Sequence, residues 1–217
     1  MLRTAVALCT LLLLLLGACR GSAVYRGWAG PPPAAGSARP LLVVDIDDTV
    51  APTPQGSLYA LLPLWPSPPG PLPGAPEALR RLSQRYRLVF LTARASLLAG
   101  GTLRWLDACG FPCAPVIFSR RVLLGSKQHT AFKTGVLRDI HAQGQEVQWA
   151  VGDKVHDMRA YLAVGADAIL LAEGGCDEDA VLLRRCLPTF PAEHVLTDRR
   201  SAWREVEALI NAGDAGR

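Results

Sequence analysis

The chain has 217 residues, half of them hydrophobic, with 23 Lys and Arg against 19 Asp and Glu. This length supports one domain with a sizeable core and leaves no comfortable room for a second. A net charge of +4 is too mild to argue for a nucleic-acid partner.

The amino terminus reads as an export signal. Arg3 precedes the apolar run AVALCTLLLLLLG and then small residues, a pattern too short for a spanning helix. Within it, LGAC at 16–19 resembles the lipobox of bacterial lipoproteins, in which Cys19 becomes the lipid-modified first residue; ordinary cleavage after Ala23 is the alternative. The expected organisation is a signal peptide over 1–18, a Gly-, Pro-, Ala- and Ser-rich flexible tether over 19–40, and one folded domain over 41–217. The expected location is the bacterial cell envelope, membrane-anchored by lipid, or else the periplasm or the medium. Cys9 leaves with the leader, so Cys109, Cys113, Cys176 and Cys186 remain in an oxidising compartment. Two local disulfides (Cys109/Cys113 and Cys176/Cys186) and buried free thiols both fit, and neither spacing makes a zinc site.

The domain opens on LLVVDIDDTV at 41–50. Four apolar residues without alternation predict a strand buried on both faces of a parallel sheet, with Asp45, Asp47 and Asp48 at its C-terminal end. In such sheets that end is where ligands bind, and clustered carboxylates there call for a hard cation such as Mg²⁺. Residues 51–76 are too rich in proline for a regular helix or central strand, and read as an ordered loop packing Leu61, Leu62, Leu64 and Trp65. Pro76 opens a helix, and RLVFLT at 87–92 is a second buried strand that delivers Thr92 and then Arg94 to the same edge. A helix over 96–109, a strand over 115–119, a helix over 131–141 with Lys133 near its start, a strand VQWAVGD, a helix over 155–164 and a strand DAILLA follow. Strands alternating with helices predict βαβ units and a parallel sheet. Beyond Glu173 the pattern weakens to a loop with a short helix, then the amphipathic SAWREVEALINA covering the sheet.

Two acidic strand ends, Asp45-x-Asp47 and Asp153-x-x-x-Asp157, thus meet a hydroxyl, Thr92, and a lysine, Lys133, at one edge. Carboxylates there can hold Mg²⁺ and one can attack phosphorus, while Thr92 and Lys133 bind phosphoryl oxygens as charge develops. Arg94 and Lys154 read as solvated charges, with reach toward a substrate headgroup as the alternative, His156 as a candidate site residue between two acids, His129, His141 and His194 as surface or loop residues, and Trp149 as core.

These motifs, DIDDT, the Thr of FLTAR, Lys133 and GDKVHD, resemble those of haloacid dehalogenase superfamily phosphatases. The resemblance implies a Rossmann-like α/β fold in a single domain, with Asp45 as nucleophile and Asp47 as general acid and then base. It also implies a Mg²⁺ held by Asp45, the backbone carbonyl of Asp47 and Asp153, with Asp157 in direct contact with the metal or one step behind. Thr92 would bind the phosphoryl group and Lys133 would neutralise it. FLTAR, TLRWL, FKTGVLRDI and GDKVHDMRAYLAVG are further similar to the catalytic domain of lipins and of actin-patch phosphatidate phosphatases. That implies phosphatidate or a related membrane lipid phosphate as substrate. Neither position used for cap insertion in this superfamily has room for a folded cap, so a capless, open site suited to a bulky substrate is expected. A broad exported (acid) phosphomonoesterase for soluble substrates and a non-catalytic phosphatidate-binding module remain as alternatives, although a binder would have no need of Asp47. The oligomeric state is not legible in the sequence.

Overall fold

A computed structural model describes residues 24–26, 39–52, 69–120, 126–172 and 178–216. Within them the apolar runs become strands β2 (Leu41–Val44), β3 (Arg87–Ala95), β4 (Val116–Ser119), β5 (Val147–Gly152), β6 (Asp167–Leu171) and β7 (Val195–Leu196). The helices are α1 (Ala75–Leu82), α2 (Ala99–Ala108), α3 (Ser126–Ala142), α4 (Val155–Leu162), α5 (Glu178–Cys186) and α6 (Ala202–Ala215). Strand β1 (Val24–Arg26) pairs antiparallel with β4, and all the other pairings are parallel.

The strand order is β1-β4-β3-β2-β5-β6-β7. The chain therefore winds outward from β2 through β3 to β4 on one side, and from β5 to β7 on the other. β2 and β5 flank the point where the order reverses, the place where α/β sheets open a crevice at their C-terminal ends.

Alternation along each strand distributes the core between two faces. Leu42, Val44, Leu88, Phe90, Phe118 and Val151 pack with α1, α2 and α6, whereas Leu41, Val43, Val89, Leu91, Ile117 and Ala150 pack with α3, α4 and α5. A register shift between Leu41 and Leu42 lets Val147 and Trp149, two residues apart, face opposite cores. Parity carries Asp45 onto the α3/α4 face, and Thr92 and Arg94 onto the α2 face.

Proline and glycine set α1: Gly74 precedes it at φ 79°, Pro76 occupies its first turn, and Arg80 and Arg81 complement its C-terminal dipole. In the segment read as a tether, Val24–Arg26 forms the edge strand; the other tether residues up to 38, the export signal with Cys19, and the proline-rich loop from 53 to 68 lie outside the described residues. The expected open entrance therefore rests on motif spacing. Cys109, Cys113 and Cys186 carry free thiols, so the Cys109/Cys113 bridge is absent; Cys176 lies outside the described residues. No helix among the described residues is long and apolar enough to cross a membrane.

Candidate active site

The site is built on the turn that ends β2. Backbone N–H groups of Val50 and Ala51 donate to the carbonyl of Ile46 (3.0 and 2.9 Å), and that of Asp48 to Ala51 (2.7 Å). Asp48 takes the left-handed conformation (φ 53°), which aspartate tolerates better than most residues. Its carboxylate lies 3.3 Å from Arg199, and the indole N–H of Trp203 donates to the carbonyl of Thr49 at 2.8 Å. The C-terminal segment thus holds the turn from behind. Thr49 is wholly buried there.

Asp45, Asp153 and Asp157 converge, with one carboxylate oxygen from each lying within 4.8 Å of the others. All three are buried. Lys133, 1% exposed, lies 2.6 Å from Asp157 Oδ1 as a hydrogen bond and 3.0 Å from Asp45 Oδ1 as an ion pair. α3 begins at Ser126, so this lysine stands two turns into the helix rather than near its start. Lys154, half exposed, adds a contact to Asp153 Oδ2 at 3.1 Å, so it is paired rather than merely solvated.

Gly152 makes the approach of Asp157 possible. A Cβ on that residue would lie 2.9 Å from both Cβ and Oδ2 of Asp157. Only glycine leaves the acid in place.

Charge in this cluster is unbalanced. Burial pushes the Asp45 carboxyl up to about 7, opposed by Lys133 and reinforced by Asp157 and Asp47. Burial also drives Asp153 well above the carboxylate range, with Asp157 and Asp45 adding to it. Lys133 moves well above its ordinary value: burial opposes its charge, but Asp157 and Asp45 outweigh that. Asp45 Oδ1 and Asp157 Oδ2 are buried and accept no hydrogen bond. Converging buried carboxylates, with three acids against one buried lysine, fit a hard divalent cation.

Asp47 points elsewhere. Its Oδ1 accepts from Arg94 Nη2 at 2.7 Å and Nε at 3.0 Å; its Oδ2 accepts from Nε at 3.0 Å and from Thr92 Oγ1 at 3.5 Å. Its carboxylate is not part of the Asp45, Asp153 and Asp157 cluster. Arg94 is therefore not a solvated charge: its Nη1 also donates to Thr102 Oγ1 at 3.1 Å, and its backbone N–H to Thr92 Oγ1 at 3.1 Å.

His156 Nε2 lies 3.5 Å from Asp157 Oδ1 and 3.3 Å from His129 Nδ1, their rings edge to face. The pair backs the Lys133–Asp157 contact. His129, read as a surface residue, stands behind the site. His194 is half-buried against the carbonyl of Ala168 (3.0 Å), and Trp149 is buried as expected.

Comparison with known proteins agrees with this architecture. The model of the family "PITM 1-3, LNS2 domain" matches residues 42–169. None of the curated protein sequences matches the chain. Among solved structures, an uncharacterized protein from Listeria monocytogenes serotype 4b superposes with TM-score 0.50 at 18% identity, covering 79% of this chain and 99% of that one. A protein of Thermotoga maritima assigned as a beta-phosphoglucomutase gives TM-score 0.50 at 14% identity, covering 78% and 99%. The chain spans 48% of a chain in the Pnkp1/Rnl/Hen1 RNA repair complex, with 69% of itself covered, TM-score 0.49 and 14% identity. With its sheet reversing at Asp45 and Asp153 and its family model covering both, the chain belongs to the LNS2 domain family.

Proposed function

We propose that the protein is a Mg²⁺-dependent phosphatase that works through an aspartyl-phosphate on Asp45 and acts on phosphatidate or a related lipid phosphate at a membrane surface. The observation that carries this reading is the buried triad Asp45, Asp153 and Asp157 around Lys133, with two carboxylate oxygens left without hydrogen bonds. A bound Mg²⁺ would neutralise phosphoryl oxygens as a Lewis acid. The rest is done by side chains. A carboxylate oxygen of Asp45 bonds to phosphorus as the ester P–O bond breaks, and Asp47 gives its proton to the departing alkoxide. Water then attacks the same phosphorus and returns a proton to Asp47, and the Asp45–phosphorus bond breaks to release phosphate. Thr92 and Lys133 bind the oxygens on which charge develops. The lipid substrate is supported by the motif resemblance and by the LNS2 family match; anchoring through a lipidated Cys19 is part of the same proposal.

Phosphate release should be measured from phosphatidate vesicles and from a soluble aryl phosphate, each with Mg²⁺ and with chelator. Turnover of both that stops in chelator, with vesicles preferred, is expected. Turnover unaffected by chelator would remove the metal, preference for the aryl ester would favour a soluble phosphomonoesterase, and vesicle binding without turnover would favour a binding module. Asp153→Asn should abolish metal-dependent turnover while leaving the fold intact.

A further inference from the structure

We infer that Arg94, fixed by Thr102, is the residue that positions Asp47 for proton transfer, gripping Oδ1 with two nitrogens and Oδ2 with one, so that Oδ2, beside Thr92, is the oxygen that carries the proton. The inference rests on the phosphatase reading above and extends it to a side chain to which the motif resemblance gives no role.

The two oxygens of Asp47 are not equivalent. Oδ1 receives both Nη2 (2.7 Å) and Nε (3.0 Å) of Arg94, whereas Oδ2 receives Nε at 3.0 Å and lies 3.5 Å from the hydroxyl of Thr92. Thr92 is one of the groups proposed to bind the phosphoryl group, so Oδ2 is the oxygen on the reacting side. A carboxylic acid protonated on Oδ2 still offers Oδ1 as an acceptor. The grip of Arg94 can therefore persist through both halves of the reaction: Oδ2–H gives its proton to the ester oxygen as that P–O bond breaks, and Oδ2 takes one from water as the Asp45–phosphorus bond is cleaved. No proton or charge is left over.

Arg94 is itself held. Nη1 donates to Thr102 Oγ1 at 3.1 Å, and that hydroxyl donates to the carbonyl of Leu98 at 3.1 Å. Thr102 is buried in α2, so the first turns of this helix fix the guanidinium. A planar fork with three points of attachment sets the angle of the carboxylate as a flexible lysine would not.

The test compares two soluble substrates of the full-length protein with Mg²⁺: an alkyl phosphate, whose leaving oxygen needs a proton, and p-nitrophenyl phosphate, whose leaving group departs without one. Loss of a positioned general acid should lower kcat/KM, which reports the first step, by about 100-fold on the alkyl ester in Arg94→Lys. The aryl ester should keep kcat/KM within about 3-fold and show a burst of nitrophenol, because dephosphorylation also needs Asp47 and is the step the two esters share. Thr102→Val, nearly isosteric, should shift the ratio of the two kcat/KM values in the same direction by a smaller factor; it decides the matter if Arg94→Lys does not fold. Equal losses of kcat/KM on both esters would make Arg94 a phosphate binder and overturn the inference. A folded Thr102→Val with the wild-type ratio would overturn the anchoring by α2. Wild-type protein inactive on both esters and on phosphatidate vesicles would overturn the phosphatase reading itself, a result distinct from the others.

Discussion

Protons and a divalent cation compete for the carboxylates around Lys133, and the direction of that competition follows from burial. Asp45 sits at about 7 against an ordinary 3.8 because burial penalises its charge, and Asp153 moves the same way. Over that interval the folded state binds more protons than the unfolded chain, so stability without metal is fullest at the acid end and falls as pH rises from about 4 to about 7. A cation substitutes for those protons. The thermal stabilisation given by Mg²⁺ should therefore grow between about pH 5 and about pH 8, read by scanning calorimetry with metal and with chelator; curves that stay parallel would exclude the cluster as the metal site. Gly152→Ala is the sharper probe, because the added methyl meets Asp157 at 2.9 Å. A cost of about 1–3 kcal/mol is expected from overpacking, with a loss of Mg²⁺-induced stabilisation as Asp157 is pushed aside. Denaturant unfolding with and without metal separates the two effects. Most of this cluster was legible because Asp45 and Asp153 stand where largely apolar strands stop, with Asp157 one helical turn beyond. Arg94 was not. Its partner is 47 positions away, and a charge beyond the end of RLVFLT reads as solvent-facing when the strand is drawn three residues short. With β3 extended to Ala95, Thr92 and Arg94 share one face, and that parity was the signal available.

Elements outside the family-matched region still carry the site. The match ends at 169, yet α6 contributes Trp203, Val206 and Ile210 to the core beneath α1 and β2. Arg81 and Glu207 tie the same two helices by a bidentate pair at 2.6 Å. A protein trimmed to 42–169 should therefore fail to fold, which circular dichroism and size-exclusion chromatography would reveal. Trp203→Phe is subtler. It keeps an aromatic ring but leaves the carbonyl of Thr49 without its donor, costing about 1–3 kcal/mol for a buried unsatisfied group. Because Thr49 closes the turn that carries Asp47, turnover should fall along with stability, and a variant with normal stability and activity would show that the turn needs no such support. The amphipathic pattern of SAWREVEALINA announced a covering helix, but not which backbone group its tryptophan would reach. Two strands escaped the sequence for a different reason: β7 has two residues and β1 three, too few for any alternation to register.

For the molecule as a whole, the proposed lipid anchor predicts that Cys19→Ser releases the protein into the soluble exported fraction. Its activity on membrane phosphatidate should fall while activity on a soluble aryl phosphate is spared, and a variant that still sediments with membranes would rule the anchor out. Strand β1 alters the geometry of such an anchor. Val24 pairs with Phe118 and Arg26 with Val116, so the chain enters the sheet beside the C-terminal end of β4, on the side where Asp45, Thr92 and Asp153 lie. From Cys19 to Val24 there are five residues, a leash of at most about 18 Å when fully drawn out. With Cys19 acylated as proposed, the domain is not a float on a long rope but a boat tied close at the bow. Its mouth is kept within a few nanometres of the leaflet in which its lipid sits. Lengthening the leash before Val24 with Gly-Ser repeats would then lower turnover of neighbouring lipid without touching a single residue of the site.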